Sequence, residues 1–257
     1  MDIVEYEVRD RIGFITLNRP EKRNALNEEL IKTLSSVFTK ASKDPAVRAI
    51  VLKANGEAFC SGADLGYLQQ LQNFSFEDNL ADSTRLKELF LQIYTLNKVV
   101  VAQVEGHAIA GGCGLATVCD FIFSVPEAKF GYTEVKIGFI PAIVMVFLIR
   151  KIGDQRARQL LLSGNLVGAE EAASLGLITK LSGKATIKDD VLDFVRKLIK
   201  SNSAQAMIST KRMIAEVQSL PLEEALKYAA RMNADARGTD DCKKGIASFL
   251  NKEMLEW

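Results

Sequence analysis

The chain of 257 residues sets 33 lysines and arginines against 32 aspartates and glutamates, a formal charge of +1 that leaves no net field for holding a polyanion. Binding nucleic acid through neutralised phosphates needs a concentrated basic surface, so that class of function is disfavoured. With 48% hydrophobic and 25% charged residues, 17 glycines and 5 prolines, the composition is that of a folded domain, which excludes a disordered or linker-rich chain.

In chain order, the β-rich runs 3–8 and 12–17 are separated by Asp10-Arg11 and predict an opening hairpin. From Asn27 to Ala41 the apolar positions Leu30, Ile31, Leu34, Val37, Phe38 and Ala41 recur at helical spacing, with Asn27, Glu28 and Glu29 suited to the helix start. A strand is expected over 47–53 after the Asp44-Pro45 break. Residues 66–81, with Gln69, Gln70, Gln72, Asn73 and Asn79 among scattered aromatics, read as a mobile connection. A helix over about 82–96 follows. VVVAQV at 99–104 reads as a strand buried on both faces. Alternation of strand and helix favours an α/β architecture.

After a strand at 121–125 the chain turns mostly helical, with helices expected at 142–151, 154–162, 169–175, 188–200, 204–217 and 222–236. Pro141 and Pro221 suit first turns, and Gly176 suits the position just past a helix end. The chain divides softly into a core, 1–195, and a C-terminal helical region, 196–257. The stripe Val191, Phe194, Val195 and Leu198 must pack on the core or on another subunit. The longest uncharged run, Ile137 to Ile149, contains Pro141 and falls short of the roughly 20 residues that cross a membrane, so it reads as a buried element. The N-terminus (Met1, Asp2, Ile3, Val4, Glu5) carries acids where a secretory signal carries bases, which predicts a cytoplasmic protein. Cys60, Cys113, Cys119 and Cys242 form no C-x-x-C pair, and His107 is the one histidine, so reduced thiols and no metal site are expected.

Two glycine-containing turns, Glu57 to Leu65 and Gly106 to Ala116, each follow a strand-like run and precede a plausible helix, an arrangement that aims free backbone N–H groups into one place. If the turns converge, two amides can hold an oxygen that becomes negative during reaction, each donor being worth about 2.7–4 kcal/mol. Alternatively the glycines serve only tight turns and close helix packing. Neither turn fits a phosphate-loop or dinucleotide fingerprint.

Five blocks in register, Asn18-Arg19-Pro20 with Asn24-Ala25-Leu26, then Phe59 to Leu65, Ala110 to Ala116, Cys119-Asp120 and Phe130 to Glu134, resemble the crotonase superfamily of enoyl-CoA hydratases and isomerases. The resemblance implies a crotonase-like spiral of β-β-α units with a C-terminal helical region over the active site, and a homo-oligomer of trimers or dimers of trimers. It also implies acyl-CoA thioester substrates, CoA being part of the substrate with no separate cofactor. Carried over by position, the amides of Ser61 and Gly111 form the oxyanion hole and Glu134 is the acid-base residue. Gly112 and Gly114 lie on the substrate side of their turn, Ala63, Asp64 and Leu65 line the adenine pocket, Ala25 and Leu26 line the CoA cleft, and Lys22 or Arg23 lies near the phosphates.

One departure bears on the reaction. Hydratases of this family usually carry two glutamates, and here Gly114 stands at the first position, leaving Glu134. A single carboxylate can still shuttle a proton, worth about 10²–10⁴ in rate. The resemblance thus implies reversible hydration of a 2-enoyl-CoA, branched methylglutaconyl-like esters included. The alternatives are a Δ3,Δ2 double-bond shift through the single Glu, or a non-catalytic CoA-binding or scaffold subunit. The apolar run from Pro141 to Leu148 is expected to reshape the acyl pocket. His107, Tyr132 and Asp120 read as structural.

Overall fold

The computed structural model describes residues 2–257, the side chain of Leu65 excepted. β1 (Val4–Arg9) and β2 (Ile12–Leu17) form the expected hairpin across Asp10 and Arg11, which sit at φ 53° and 64°. Two left-handed residues in a two-residue turn match the twist of the flanking strands. A 3₁₀ turn at 20–22 leads to α1 (Glu28–Lys43), whose start is fixed by the Asn27 side chain accepting from the Leu30 amide. Glu28 and Glu29 in its first turn and Lys40 and Lys43 in its last complement the helix dipole.

The chain then repeats one unit three times: a strand in a large sheet, a short strand in a small sheet, then helix. The first comprises β3 (Ala49–Ala54), β4 (Ala58–Cys60), α2 (Leu65–Leu71) and α3 (Phe76–Tyr94). The second comprises β5 (Val99–Val104), β6 (His107–Ile109) and α4 (Gly111–Thr117), and the third β7 (Phe121–Ser124), β8 (Lys129–Gly131) and α5 (Ala142–Ile152). α6 (Asp154–Ser163), β9 (Val167–Gly168), α7 (Ala169–Ser174) and β10 (Lys180–Leu181) complete the layers. The large sheet runs β1-β2-β3-β5-β7-β10 and the small one β4-β6-β8-β9. Pairing is parallel except at β1 and β9, with Val51 opposite Val101 and Ala102 opposite Ile122. Every residue of β2 and β5 is buried, as continuous apolar runs in a covered parallel sheet require. This is the expected spiral of β-β-α turns.

The remaining helices are α8 (Ile187–Ser201), α9 (Ala204–Val217), α10 (Leu222–Gly238) and α11 (Asp240–Asn251). The 195/196 division falls inside α8, whose Val191 and Val195 are buried and whose Phe194 packs edge-on to Phe121 at 4.9 Å. Lys211 pins α9 to the core. Its ammonium, on a side chain 7% exposed, donates to the carbonyls of Ile93 and Lys98 and to Asp120 Oδ2 at 2.7 Å. Three acceptors for three donors is what a buried ammonium needs.

Two expectations are corrected. Residues 66–81 are not a loose connection: they hold most of α2 and the start of α3, where Ser75 and Asp78 cap each other reciprocally. The uncharged run 137–149 is not a buried element, since Ile137 and Phe139 are 71% and 58% exposed and only one face of α5 turns inward. A helix at the C-terminus, α11, follows α10 unforeseen. Among the described residues, no helix is long and apolar enough to cross a membrane.

Candidate active site

Three segments remote in sequence meet at the start of α4. Residues 23–26 lie along residues 61–64, where Leu26 N donates to Gly62 O at 2.7 Å and Asp64 N to Leu26 O at 2.9 Å. Gly62 adopts φ +90°, and a Cβ there would lie 3.0 Å from Ala110 Cβ and 3.6 Å from Gly111 N. A Cβ on Gly112 would lie 2.1 Å from Cys60 O, and one on Gly111 would lie 3.1 Å from Leu26 Cδ1. The two glycine turns therefore do converge, and their glycines permit it by letting backbones touch.

Convergence does not free the Ser61 amide that the family resemblance implies. Ser61 N donates to Arg23 O at 3.1 Å and is occupied. Among the described residues no acceptor takes the N–H of Ala63 or of Gly111. Ala63 is exposed, while Ala25 and Leu26 are buried beneath it. Ala110, which leads into the Gly111 amide, holds φ 51° and ψ −126°, with its own N–H tied to Gly131 O at 2.7 Å. A side chain in that region costs of order 1–3 kcal/mol. Ala110→Gly is expected to raise the melting temperature by a few degrees, at about 2–4 °C per kcal/mol relieved, while lowering kcat because the following amide is held less firmly. Thermal melts beside steady-state kinetics check both halves.

Glu134 opens a 3₁₀ turn, 134–137, directly after β8, and β8 pairs with the β6 strand that feeds Gly111. Its Oε2 is buried with no hydrogen-bond partner among the described residues. Burial raises its pKa above the ordinary value of 4.5, with a smaller opposing contribution from its own backbone N–H. Burial above all, with a smaller contribution from Glu134, pushes the thiol of Cys113, in the first turn of α4, up to about 11. Tyr132, fully buried two residues before, shares a 2.7 Å hydrogen bond with Thr117 at the other end of α4, which ties the segment after β8 to that helix.

The other predicted positions separate. Lys22 and Arg23 are exposed at the rim. Asp64 faces inward: Oδ1 caps α2 at the amides of Gly66 and Tyr67, and Oδ2 pairs with Arg19 at 3.0 Å, so its carboxylate is committed to the scaffold. The Leu65 side chain lies outside the described residues. Gly114 sits one turn into α4, where a Cβ would come within 2.3 Å of Val144 Cγ1 and 2.9 Å of Phe90 Cε2. Asp120 is taken by Lys211 and the Val100 amide, and His107 Nδ1 accepts from the Lys129 amide. Sequence reasoning missed Arg19, whose partner is 45 residues away and carries no local signal. A cavity of about 1300 Å³ lies at the opposite end of α4 beneath the C-terminal helices; Asp120 and Lys211 line it, whereas Ser61, Ala63, Gly111 and Glu134 do not.

The enoyl-CoA hydratase/isomerase family model matches residues 7–257. A Thermus thermophilus protein provisionally named an enoyl-CoA hydratase is 38% identical, covering 95% of this chain and 96% of its own. Mitochondrial enoyl-CoA hydratase of Pongo abelii is 33% identical over 96% of this chain and 83% of its own. The crystal structure of enoyl-CoA hydratase from Mycobacterium smegmatis superposes with a TM-score of 0.93 at 29% identity, covering 100% of this chain and 99% of that one. Together with the β-β-α spiral, these place the chain in the crotonase superfamily as an enzyme of the enoyl-CoA hydratase/isomerase family.

Proposed function

We propose that the protein interconverts an acyl-CoA thioester and its enolate, the overall reaction being reversible hydration of a 2-enoyl-CoA. The observation that carries this is the buried Oε2 of Glu134, unpartnered among the described residues, together with the amides of Ala63 and Gly111 that no acceptor takes. The thioester carbonyl accepts from those two amides, Ala63 replacing Ser61, whose N–H is spent on Arg23. Water adds through its oxygen to C3 while Glu134 takes one of its protons. The C2=C3 electron pair moves onto the thioester, and the oxygen that becomes negative lies between preorganised donors. Glu134 then returns the proton to C2. The step is redox-neutral and calls for no metal or separate cofactor.

A second reading, double-bond migration from C3 to C2, draws on Gly114. Val144 and Phe90 occupy the space where a second carboxylate would project, leaving one base, which suffices to move a proton between C2 and C4. The exposed apolar residues Leu222 and Leu226 of α10 and Phe249 and Leu250 of α11 support the expected homo-oligomer, a trimer or pair of trimers.

Incubation with 2-enoyl, 3-enoyl and branched dicarboxylic enoyl-CoA esters in deuterated water, followed by NMR, tests the reaction. Deuterium at C2 with a new C3 hydroxyl is expected. Migration without a hydroxyl replaces hydration by isomerisation and keeps the enolate, whereas no turnover across the panel leaves a CoA-binding role.

A further inference from the structure

We propose that Arg19 is a positioning residue that holds the Ala63 amide in its catalytic direction; the assignment rests on Ala63 and Gly111 being the donors to the thioester oxygen. The direction of that amide is set by the backbone at Gly62 and Ala63, and Gly62, at φ +90°, is the residue least able to hold a direction by itself. What fixes the segment is a single parallel bridge between Leu26 and Ala63, made by the Leu26 N to Gly62 O and Asp64 N to Leu26 O bonds.

Arg19 clamps that bridge from both strands. Nη1 donates to the carbonyl of Ala25 at 2.9 Å, one residue before Leu26, and Nη2 donates to Asp64 Oδ2 at 3.0 Å, one residue after Ala63. The two side chains are 13% and 14% exposed, so the pair is largely shielded from water and salt. Burial pushes the Asp64 carboxyl up, but the Arg19 guanidinium and the Tyr67 and Gly66 amides outweigh it and hold the group below the ordinary carboxylate value. Asp64 thus stays ionised as the joint between Arg19 and α2. Arg19 is itself anchored: its N–H donates to Asn24 Oδ1 at 2.8 Å, and buried Asn24 donates from Nδ2 to the carbonyls of Asn55 and Ala58, both at 2.8 Å.

A rigid planar fork reaches two acceptors on two segments at once; an ammonium on a flexible stem does not hold that geometry. Arg19 therefore acts on the transition state through Ala63 and touches no substrate atom.

The test uses the full chain and follows exchange of the C2 protons of butanoyl-CoA for deuterium, which reports enolate formation whatever the later step. Arg19→Lys and Arg19→Ala are expected to lower kcat for exchange about 10²-fold, the effect of losing one oxyanion donor, with KM near that of the wild type. Guanidinium ion added to Arg19→Ala is expected to restore part of the rate. If Arg19→Ala fails to fold, the kcat and KM of Arg19→Lys decide. A Lys variant with wild-type kcat, a change confined to KM, or a loss that tracks melting temperature and ignores guanidinium overturns the assignment. Wild-type protein that exchanges no deuterium overturns the enolate reading and the Arg19 role with it; wild-type exchange matched by the variants overturns Arg19 alone.

Discussion

Glu134→Gln is expected to lower turnover about 10²–10⁴-fold, the contribution of a positioned acid-base group, while acyl-CoA still binds. Glutamine keeps the size of the side chain and cannot carry the proton. The same change is expected to stabilise the fold at neutral pH. An unpartnered buried polar atom costs roughly 1–3 kcal/mol, more when charged, and Oε2 of Glu134 has no partner among the described residues. The pH dependence fixes the sign. Burial raises the folded pKa above the unfolded 4.5, so the native carboxyl binds its proton more tightly than the unfolded one. Its contribution to stability is therefore fully present below 4.5 and lost as pH rises through the raised value. Wild type and Glu134→Gln should melt alike in acid and diverge as pH rises, the glutamine form becoming the more stable. Because the base form takes the proton, the acid limb of kcat/KM should lie above 4.5 and vanish with the residue. Melting curves from pH 4 to 8 beside a kinetic pH profile read both; a variant that is inactive yet less stable at neutral pH contradicts a desolvated carboxylate.

What was legible in the sequence was what local physics controls. The helix over 204–217 and the hairpin across Asp10-Arg11 follow from apolar spacing and turn chemistry, and both stand as read. The Gln- and Asn-rich stretch after Gly66 is helical despite its polarity, because the Ser75-x-x-Asp78 cap starts α3 inside it. Strands as short as β9 and β10 have no periodicity to detect and exist only because the neighbouring strands offer an edge. The run after Ile137 is apolar without being buried, since hydrophobicity does not say which face meets the core. At the candidate site the two glycine turns were legible as turns that could meet, whereas Glu134 stood out only through the family resemblance. The free amide was not legible: whether Ser61 or Ala63 keeps its N–H depends on Arg23 and Leu26, some 40 residues earlier, a register that no local spacing encodes.

The convergence itself can be broken with one methyl group. At Gly112 an added Cβ would sit 2.1 Å from the oxygen, 2.7 Å from the carbon and 2.8 Å from the Cβ of Cys60, so backbone must move against backbone. Neither side can yield by rotating a side chain. Cys60 belongs to β4, paired to β6, and Gly112 belongs to the first turn of α4, so separation of the two carries Gly111 away from Ala63. A displacement near 1 Å costs about 10² in rate, and overpacking a filled core costs about 1–3 kcal/mol. Gly112→Ala is thus expected to lose at least about 10²-fold in kcat and several degrees of melting temperature. Gly168→Ala is the control, because a Cβ there meets nothing within 4 Å and its φ is −69°. It is expected to keep full activity and gain about 0.4–1 kcal/mol, through fewer unfolded conformations. If Gly112→Ala and Gly168→Ala behave alike, the two turns do not meet as tightly as the contact at Cys60 requires.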